Sequence, residues 1–161
     1  SSSVVPKFIE QIQNNKKITI TDPNMTRFSI TMNEALDFIL NSANTIQGSE
    51  IFIPKLRAYR VEDLKDALKE LFDVKDEQII GIREGEKMHE ILINEDEVRY
   101  TMELDNNYLI FNGTPNEKTL SHYSGIHSPN NLTKYSSENA DKISKHELKD
   151  VLLKSGLLKS L

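Results

Sequence analysis

Short runs of β-branched residues alternate with amphipathic helical patterns over residues 4–92, and this alternation constrains the fold more than any other feature. Turns rich in Asn, Asp, Gly or Pro separate the two kinds of segment. Alternating helices and strands favour an α/β fold built in layers. The predicted order is a helix from Val4, a strand at residues 18–21, a helix at 31–43, a strand at 50–54, a helix at 61–72, a strand at 78–83 and a helix from near Lys87.

The helix that begins at Thr31 has the clearest local signature. Thr31 is a residue type that caps helices, and Glu34 follows three residues later, which is the spacing of a capping box. Ala35, Phe38 and Ile39 then form an apolar stripe. These residues predict an amphipathic helix over residues 31–43.

The pattern changes near residue 99. Between residues 99 and 111, apolar residues alternate on either side of a polar turn at 105–107, which predicts a β-hairpin. Residues 112–142 are rich in Ser, Asn, Thr and Pro with little periodicity, so we expect an extended, loosely structured tail. A hydrophobic share of 37% and a charged share of 28% agree with this. We therefore divide the chain into an α/β portion at 1–112 and a tail at 113–161, closed by a helix at 144–154.

Charge and cysteine content exclude several classes of protein. The net charge is -5 and basic residues are scattered among acidic ones, so no concentrated basic face is available for nucleic acid. No apolar run approaches the ~20 residues of a membrane span, and no basic-then-apolar leader opens the chain. Because there is no cysteine, disulfides and thiolate metal sites are excluded. We expect a soluble, cytoplasmic protein that contacts neither nucleic acid nor membrane.

Two arginine-bearing turns, each after a predicted strand, are candidates for an anion site. Arg27 lies just before the Thr31 cap, where a guanidinium could hold phosphate oxygens in bidentate fashion. Arg83 opens a turn in which Gly85 frees the backbone and Glu86 could accept from a pair of sugar hydroxyls. Purely structural roles stay open for both turns. Arg27 could form a surface ion pair, and the acidic residues of the second turn could stabilise the N-terminus of a helix.

Other reactive side chains form no recognisable site. His89 and Glu90 lack a third ligand at metal spacing, so we expect no metal. The sequence contains neither Gly-x-Gly-x-x-Gly nor the phosphate-loop pattern, and it lacks the Tyr-x-x-x-Lys pair of short-chain dehydrogenases. We therefore expect this chain to carry no catalytic residue and to bind no cofactor by itself.

Four segments, in order, carry a resemblance to a known family: DPNMTRF at 22–28, EA at 34–35, EIFIPK at 50–55 and IGIREGEKMHE at 80–90. Together they resemble the inverting UDP-N-acetylglucosamine 4,6-dehydratases. These enzymes belong to the extended short-chain dehydrogenase/reductase superfamily, in the polysaccharide-biosynthesis branch with the CapD-like and CapE-like enzymes. The run KYSSEN at 134–139 and the terminal helix resemble that branch's C-terminal extension. The resemblance implies a Rossmann-type enzyme of which this chain is the C-terminal, substrate-binding portion.

The resemblance also implies a role for particular residues in holding a UDP-sugar. The matching positions are Arg27 and Arg83 for the pyrophosphate, Glu86 for the ribose hydroxyls, Thr19 beside the uracil, and Val4, Val5 and Pro6 at the start of the helix that lines the nucleotide pocket. Two fixed cations and one carboxylate are a chemically sensible set for a nucleoside diphosphate. The chain departs from the family pattern at Glu84, where proline is common, and at Ser29-Ile30, where bulkier residues are usual.

What the family does is the expectation for the full-length protein. Members are lyases of nucleotide-sugar biosynthesis for bacterial or archaeal surface polysaccharides such as capsule. They use NADP or NAD to oxidise C4, lose water across C5–C6, return hydride at C6 and invert C5. The cofactor loop and catalytic residues belong upstream of the matched segment, so the resemblance implies that the N-terminal NAD(P)-binding half is absent here and that this fragment alone is inactive.

Two alternatives stay open at this point. Related UDP-sugar 4-epimerases share this half of the enzyme, so the full protein could be an epimerase. A non-catalytic assembly module, docking through its terminal helix and polar tail, is the alternative from another class. The enzyme is expected to be a homo-oligomer, and apolar surface that the missing half would cover is expected to make the isolated chain self-associate.

Overall fold

Two groups of segments, interleaved along the chain, make up the computed structural model, which describes residues 4–156 and 158. The first unit contains the segment up to Phe28, Arg57–Glu90 and the segment from Asp141. The second unit contains Ser29–Leu56 and Ile91–Ala140. The sequence-based division at residue 112 therefore differs from the grouping of contacts, because segments distant in sequence share each core. The mixed α/β class is confirmed by helices and small sheets in both units.

The first unit combines three longer helices with two pairs of short strands. Its elements are α1 (Val4–Gln13), β1 (Ile18–Ile20), β2 (Thr26–Phe28), β4 (Ala58–Arg60), α3 (Val61–Phe72), β5 (Glu77–Ile79) and α5 (Lys145–Lys154). Strand β1 pairs in parallel with β5, and β2 pairs antiparallel with β4. The β-branched residues Ile18 and Ile20 point into a core that also contains Phe8 and Leu68. This core fixes α1 and the ends of β1 and β2, which position the candidate site.

Helix α3 shows how local sequence determines this unit. Val61, Leu64 and Leu68 recur at helical spacing and are all buried, as the periodicity predicts. The negative charge of Glu62, in the first turn, interacts favourably with the positive end of the helix dipole. Asp73 ends the helix in the left-handed conformation, with φ of 50°. The predicted bounds of 61–72 are confirmed.

The second unit is built around a three-stranded antiparallel sheet in the order β3-β8-β7. Its elements are α2 (Met32–Thr45), β3 (Ile51–Pro54), β6 (Ile91–Ile93), a 3-10 turn (Val98–Tyr100), β7 (Thr101–Leu104), β8 (Asn107–Ile110), α4 (Glu117–Leu120) and β9 (Tyr135–Ser136). Strands β7 and β8 form the predicted hairpin, with Asp105 at φ 51° in the turn. Strand β6 pairs antiparallel with β9. Leu104, Leu109, Phe111 and Tyr123 form the local core.

Helix α2 confirms the predicted start but not a buried face. Thr31 Oγ1 accepts from the Glu34 backbone N–H, and the Glu34 carboxylate accepts from the Thr31 N–H, so both halves of the capping box are present. None of its residues is buried within the described structure. Ile39, part of the predicted apolar stripe, is 58% exposed, and Leu40 beside it is 63% exposed. Ala35 and Phe38 of that predicted stripe are only partly buried, and the most exposed apolar side chains lie on the adjacent side of the helix.

The predicted helix from Lys87 is wrong. The backbone carbonyl of Met88 accepts from the Thr26 N–H at 3.0 Å, and the Glu90 carboxylate accepts from the Phe28 N–H at 2.7 Å. This stretch is therefore held against β2, and the chain continues into strand β6 rather than a helix. The predicted strand at 78–83 is also shorter than expected, because it gives way after Ile79 to an irregular stretch with Gly81 at φ 79°.

The tail has an irregular backbone, but it is not loosely packed. Tyr123, Tyr135 and Ile143 are all buried. Local hydrogen bonds replace regular structure: the Ser136 N–H donates to Asn139 Oδ1 at 2.8 Å, and Asn139 Nδ2 donates to the Lys134 carbonyl at 2.7 Å. The expectation of a loose tail is corrected to this extent, since Ser and Asn here form turns. The terminal helix is observed as α5, capped by Ser144.

No helix within residues 4–156 is both long and apolar enough to cross a bilayer. In the same part of the chain, no group of three or more His, Cys, Asp or Glu side chains is placed to hold a metal ion.

Candidate functional site

A cavity of about 800 Å³ opens in the first unit, between α1, the ends of β1 and β2, and the turn after β5. Five residues singled out from the sequence line it: Val4, Thr19, Arg27, Arg83 and Glu86. They come from segments as far apart as residues 4 and 86, so only the fold brings them together. The other two do not line it: Val5 is partly buried and packs against the core of this unit, and Pro6 is exposed.

Arg27 is fixed by backbone carbonyls rather than by an acidic partner. Its Nη1 donates to the Thr26 carbonyl at 2.6 Å and to the Met88 carbonyl at 3.1 Å, and Nη2 points at Met25 Sδ at 2.9 Å. A guanidinium has five N–H donors, so these contacts leave two for a ligand, on Nε and Nη2. The half-buried Arg27 side chain is thus oriented before any anion arrives.

Arg83 and Glu86 belong to one tight turn. The Glu86 N–H donates to the Arg83 carbonyl at 3.0 Å, and Gly85 supplies a φ of 78° that a side chain would strain. The Glu86 carboxylate accepts weakly from the Arg83 N–H at 3.4 Å and from Thr21 Oγ1 at 3.2 Å. The Thr21 contact places this carboxylate across from the end of β1. The Arg83 side chain itself is exposed.

The side-chain amide of Gln11 forms two hydrogen bonds with Thr19. Gln11 Nε2 donates to Thr19 Oγ1 at 2.7 Å, and Gln11 Oε1 accepts from the Thr19 N–H at 3.1 Å. The backbone N–H of Thr19 is therefore already hydrogen-bonded to α1. A base bound beside Thr19 would have to displace Gln11 or be read by other groups of this wall.

The structure adds residues that sequence reasoning did not select. Lys7 lines the cavity from α1, and Tyr59 lines it from β4. Burial, and then the negative charge of Glu90, raises the pKa of Tyr59 to about 12, while Arg27 works in the opposite direction. Tyr59 is consequently a neutral phenol at physiological pH and forms part of the cavity floor. A tyrosine two residues before a predicted helix carries no sequence signal for such a position.

Lys7 could have been found from helix geometry. It follows Val4 by three residues, and residues spaced by three or four lie on one face of a helix. Burial lowers the pKa of Lys7, the positive charge of Arg83 lowers it further, and the Glu86 carboxylate opposes both effects. Four basic residues (Lys7, Arg27, Arg83 and Lys87) and two acidic ones (Glu86 and Glu90) therefore line the cavity.

Comparison with known proteins gives relatives for nearly the whole chain. The sequence profile of the family described as "Polysaccharide biosynthesis protein" matches residues 1–112. The chain is 43% identical over 109 residues to the UDP-N-acetylglucosamine 4,6-dehydratase (inverting) of Campylobacter jejuni subsp. jejuni serotype O:23/36 (strain 81-176), covering 67% of this chain and 32% of that protein. It is 34% identical over 153 residues to the UDP-glucose 4-epimerase of Rickettsia massiliae (strain Mtu5), covering 94% of this chain and 45% of that protein.

A solved structure gives the same picture. The fold matches that reported as "X-ray structure of Pen from Bacillus thuringiensis" with a TM-score of 0.82 and 31% identity, over 98% of this chain and 47% of that one. This chain thus spans less than half the length of each of these relatives. The resemblance predicted from the four sequence segments is confirmed by the profile match and the identity to the dehydratases.

Proposed function

Because this chain belongs to the polysaccharide biosynthesis protein family, we propose that it is the nucleotide-sugar-binding part of a UDP-N-acetylglucosamine 4,6-dehydratase. In this proposal the longer enzyme is an NAD(P)-dependent lyase of surface-polysaccharide biosynthesis, working in the cytoplasm as a homo-oligomer. The chain itself binds the UDP-sugar and does not turn it over.

The observation that carries the proposal is the convergence of Arg27, Arg83 and Glu86 on one cavity. A volume of about 800 Å³ lies within the usual range of roughly 300–1,000 Å³ for small-molecule sites. Arginine donors match the oxygens of a diphosphate, and a carboxylate accepts hydrogen bonds from a vicinal diol. Neutral sugars alone would not need the cations, and a simple anion would not need Glu86.

The cofactor is proposed to bind residues outside this chain. Dinucleotides rest on a Gly-x-Gly-x-x-Gly turn between a strand and a helix. In the described residues, the glycines with positive φ do not have this spacing; they are Gly81, Gly85, Gly113, Gly125 and Gly156. That pattern does not fit a dinucleotide phosphate.

A titration with UDP tests the binding function. We expect the chain to bind UDP, and Arg83→Ala to weaken binding by about tenfold, since it removes a charged donor to phosphate. Arg99→Ala is the matched control, because Arg99 is an exposed arginine of the second unit. Calorimetry would measure all three affinities. Equal affinities for Arg83→Ala and the unsubstituted chain would count decisively against the proposal.

A UDP-sugar 4-epimerase is the second candidate, favoured by one specific observation. The epimerase relatives align over 153 residues, including the tail, whereas the dehydratase alignment covers 109. The two activities give different products from UDP-N-acetylglucosamine: a dehydratase product has lost one water, and an epimerase product keeps its mass. Mass spectrometry on a protein that joins this chain to a dinucleotide-binding half would separate them.

A non-catalytic assembly module remains the alternative of another class, and the same titration addresses it. A module that kept only the shape of the enzyme has no reason to bind UDP through Arg83. We favour the enzyme reading because the three polar site residues are present together at one cavity.

A further inference from the structure

We infer that Lys7 is a phosphate-binding residue of the same cavity, contacting the diphosphate together with Arg83. This inference rests on the proposed nucleotide-sugar function, and it assigns to α1 a charged contact in addition to the apolar wall formed by Val4.

The position of Lys7 is fixed by the helix that carries it. Val4, Lys7, Phe8 and Gln11 share one face of α1, since Lys7 and Phe8 follow Val4 by three and four residues and Gln11 follows Phe8 by three. Phe8 is fully buried in the core and Gln11 is bonded to Thr19, so this face cannot rotate away. Lys7 is half-buried and lines the cavity between these two fixed contacts.

The charge of Lys7 lacks a local partner. Among the described residues, 4–156 and 158, its ammonium makes no hydrogen bond or ion pair, and its strongest charged neighbour is another cation, Arg83. Lys65 is the informative contrast in the same unit. It is more deeply buried than Lys7, but it pairs with Asp66 at 3.0 Å and Glu77 at 3.1 Å, and these contacts raise its pKa in spite of burial.

The pKa of Lys7 is lowered, whereas that of Lys65 is raised, because Lys7 has no carboxylate paired with it among the described residues. A half-buried ammonium beside a guanidinium is costly unless an anion joins them, and a ligand with two phosphate groups would relieve that repulsion. Glu86 offsets it only in part. A lysine with a purely structural role would be expected to form ion pairs with carboxylates, as Lys65 does.

Arg27 leaves room for a further donor. Two of its five N–H groups bond to carbonyls and a third points at Met25 Sδ, so two remain. A diphosphate has more acceptor oxygens than these two donors and the Arg83 fork can satisfy. An ammonium with three rotatable donors, on a neighbouring wall, supplies the remaining contacts.

The test is calorimetric titration of the full chain with UDP and, separately, with uridine. We expect Lys7→Gln to weaken UDP binding by about tenfold and to leave uridine binding unchanged, because uridine has no phosphate. Lys7→Met, which keeps the aliphatic stem, should do the same, and Lys7→Arg should retain most of the UDP affinity. Lys17→Gln is the matched control, since Lys17 is exposed and outside the cavity.

The outcomes separate this inference from the proposed function. If the chain binds UDP and Lys7→Gln behaves like Lys17→Gln, the inference is overturned while the function stands. An equal loss of uridine and UDP affinity would overturn it as well, because Lys7 would then be supporting the wall rather than binding phosphate. If the unsubstituted chain does not bind UDP, both proposals fail. Thermal unfolding of each variant shows that the fold is retained.

Discussion

Arg27 and Arg83 both line the cavity with a positive charge, but only the side chain of Arg27 is held in place by hydrogen bonds. The guanidinium of Arg27 is held by two backbone carbonyls, whereas the exposed side chain of Arg83 makes no hydrogen bond within the described residues. Arg83 must therefore lose side-chain freedom when an anion binds, and Arg27 has lost it on folding. Arg27 also ties β2 to the stretch before β6, so it contributes to stability.

This difference predicts different costs of removing each arginine. We expect Arg27→Ala to lower the free energy of unfolding by about 1–3 kcal/mol, because two carbonyls lose a charged donor. Arg83→Ala should change it by less than about 0.5 kcal/mol, as is usual for an exposed side chain. Urea denaturation without ligand measures both. Equal stability of the two variants would show that the Arg27 contacts carry no net energy.

At the scale of single elements, local patterns predicted what depends on neighbours in sequence. The capping box at Thr31, the bounds of α3 and the β7–β8 hairpin all follow from residues within a few positions of one another. The incorrect helix near Lys87 depended on a distant partner, since its backbone is held by Thr26 and Phe28, roughly sixty residues earlier. The closeness of Lys7 to Arg83 had the same origin. Periodicity carries no information about such pairs.

Helix α5 gives a prediction about acid. Hydrogen bonds from Arg57, then from Ser144, lower the pKa of Glu147 from 4.5 to about 2. Because the carboxyl pKa is lower in the folded chain than in the unfolded chain, the ionised carboxylate stabilises the fold at pH values above the unfolded pKa. This contribution is lost as the pH falls from about 4.5 towards 2. Glu147→Gln keeps the capping-box geometry but removes the charge. We expect the difference in free energy of unfolding between the unsubstituted chain and Glu147→Gln to disappear over this pH interval.

Urea unfolding midpoints at several pH values would measure that gap. Both side chains of the Arg57–Glu147 pair are about half exposed, so added salt should shrink the difference at neutral pH. A gap that stays constant down to pH 2 would mean that the ion pair is not its source.

At the scale of the whole molecule, an exposed apolar stripe on α2, adjacent to the one predicted from the sequence, determines how the isolated chain should behave. Met32, Leu36, Ile39 and Leu40 share one side of the helix, and each is at least half exposed. Contiguous apolar surface of this kind marks an interaction face. In the proposed longer enzyme it would be covered by the remaining half of the protein.

We accordingly expect the isolated chain to self-associate through α2. The double substitution Leu36→Glu and Leu40→Glu should shift the population towards monomer, because it places charge on the stripe. Asn41→Glu with Thr45→Glu adds the same charge, at the same spacing, to the opposite side of the helix and should not. Light scattering over a range of concentrations measures this. A chain that is already monomeric at high concentration would refute the expectation.

The interleaving of the two units has a consequence for how the protein is made. Leu148 and Leu152 of α5 complete a core whose other members lie mostly before residue 69. During synthesis that core must wait until α5 has emerged from the ribosome, and such long-range contacts form slowly. Phe8, Ile18 and their neighbours stay uncovered meanwhile, so we expect this core to close only once α5 is available, with a need for protection by chaperones until then.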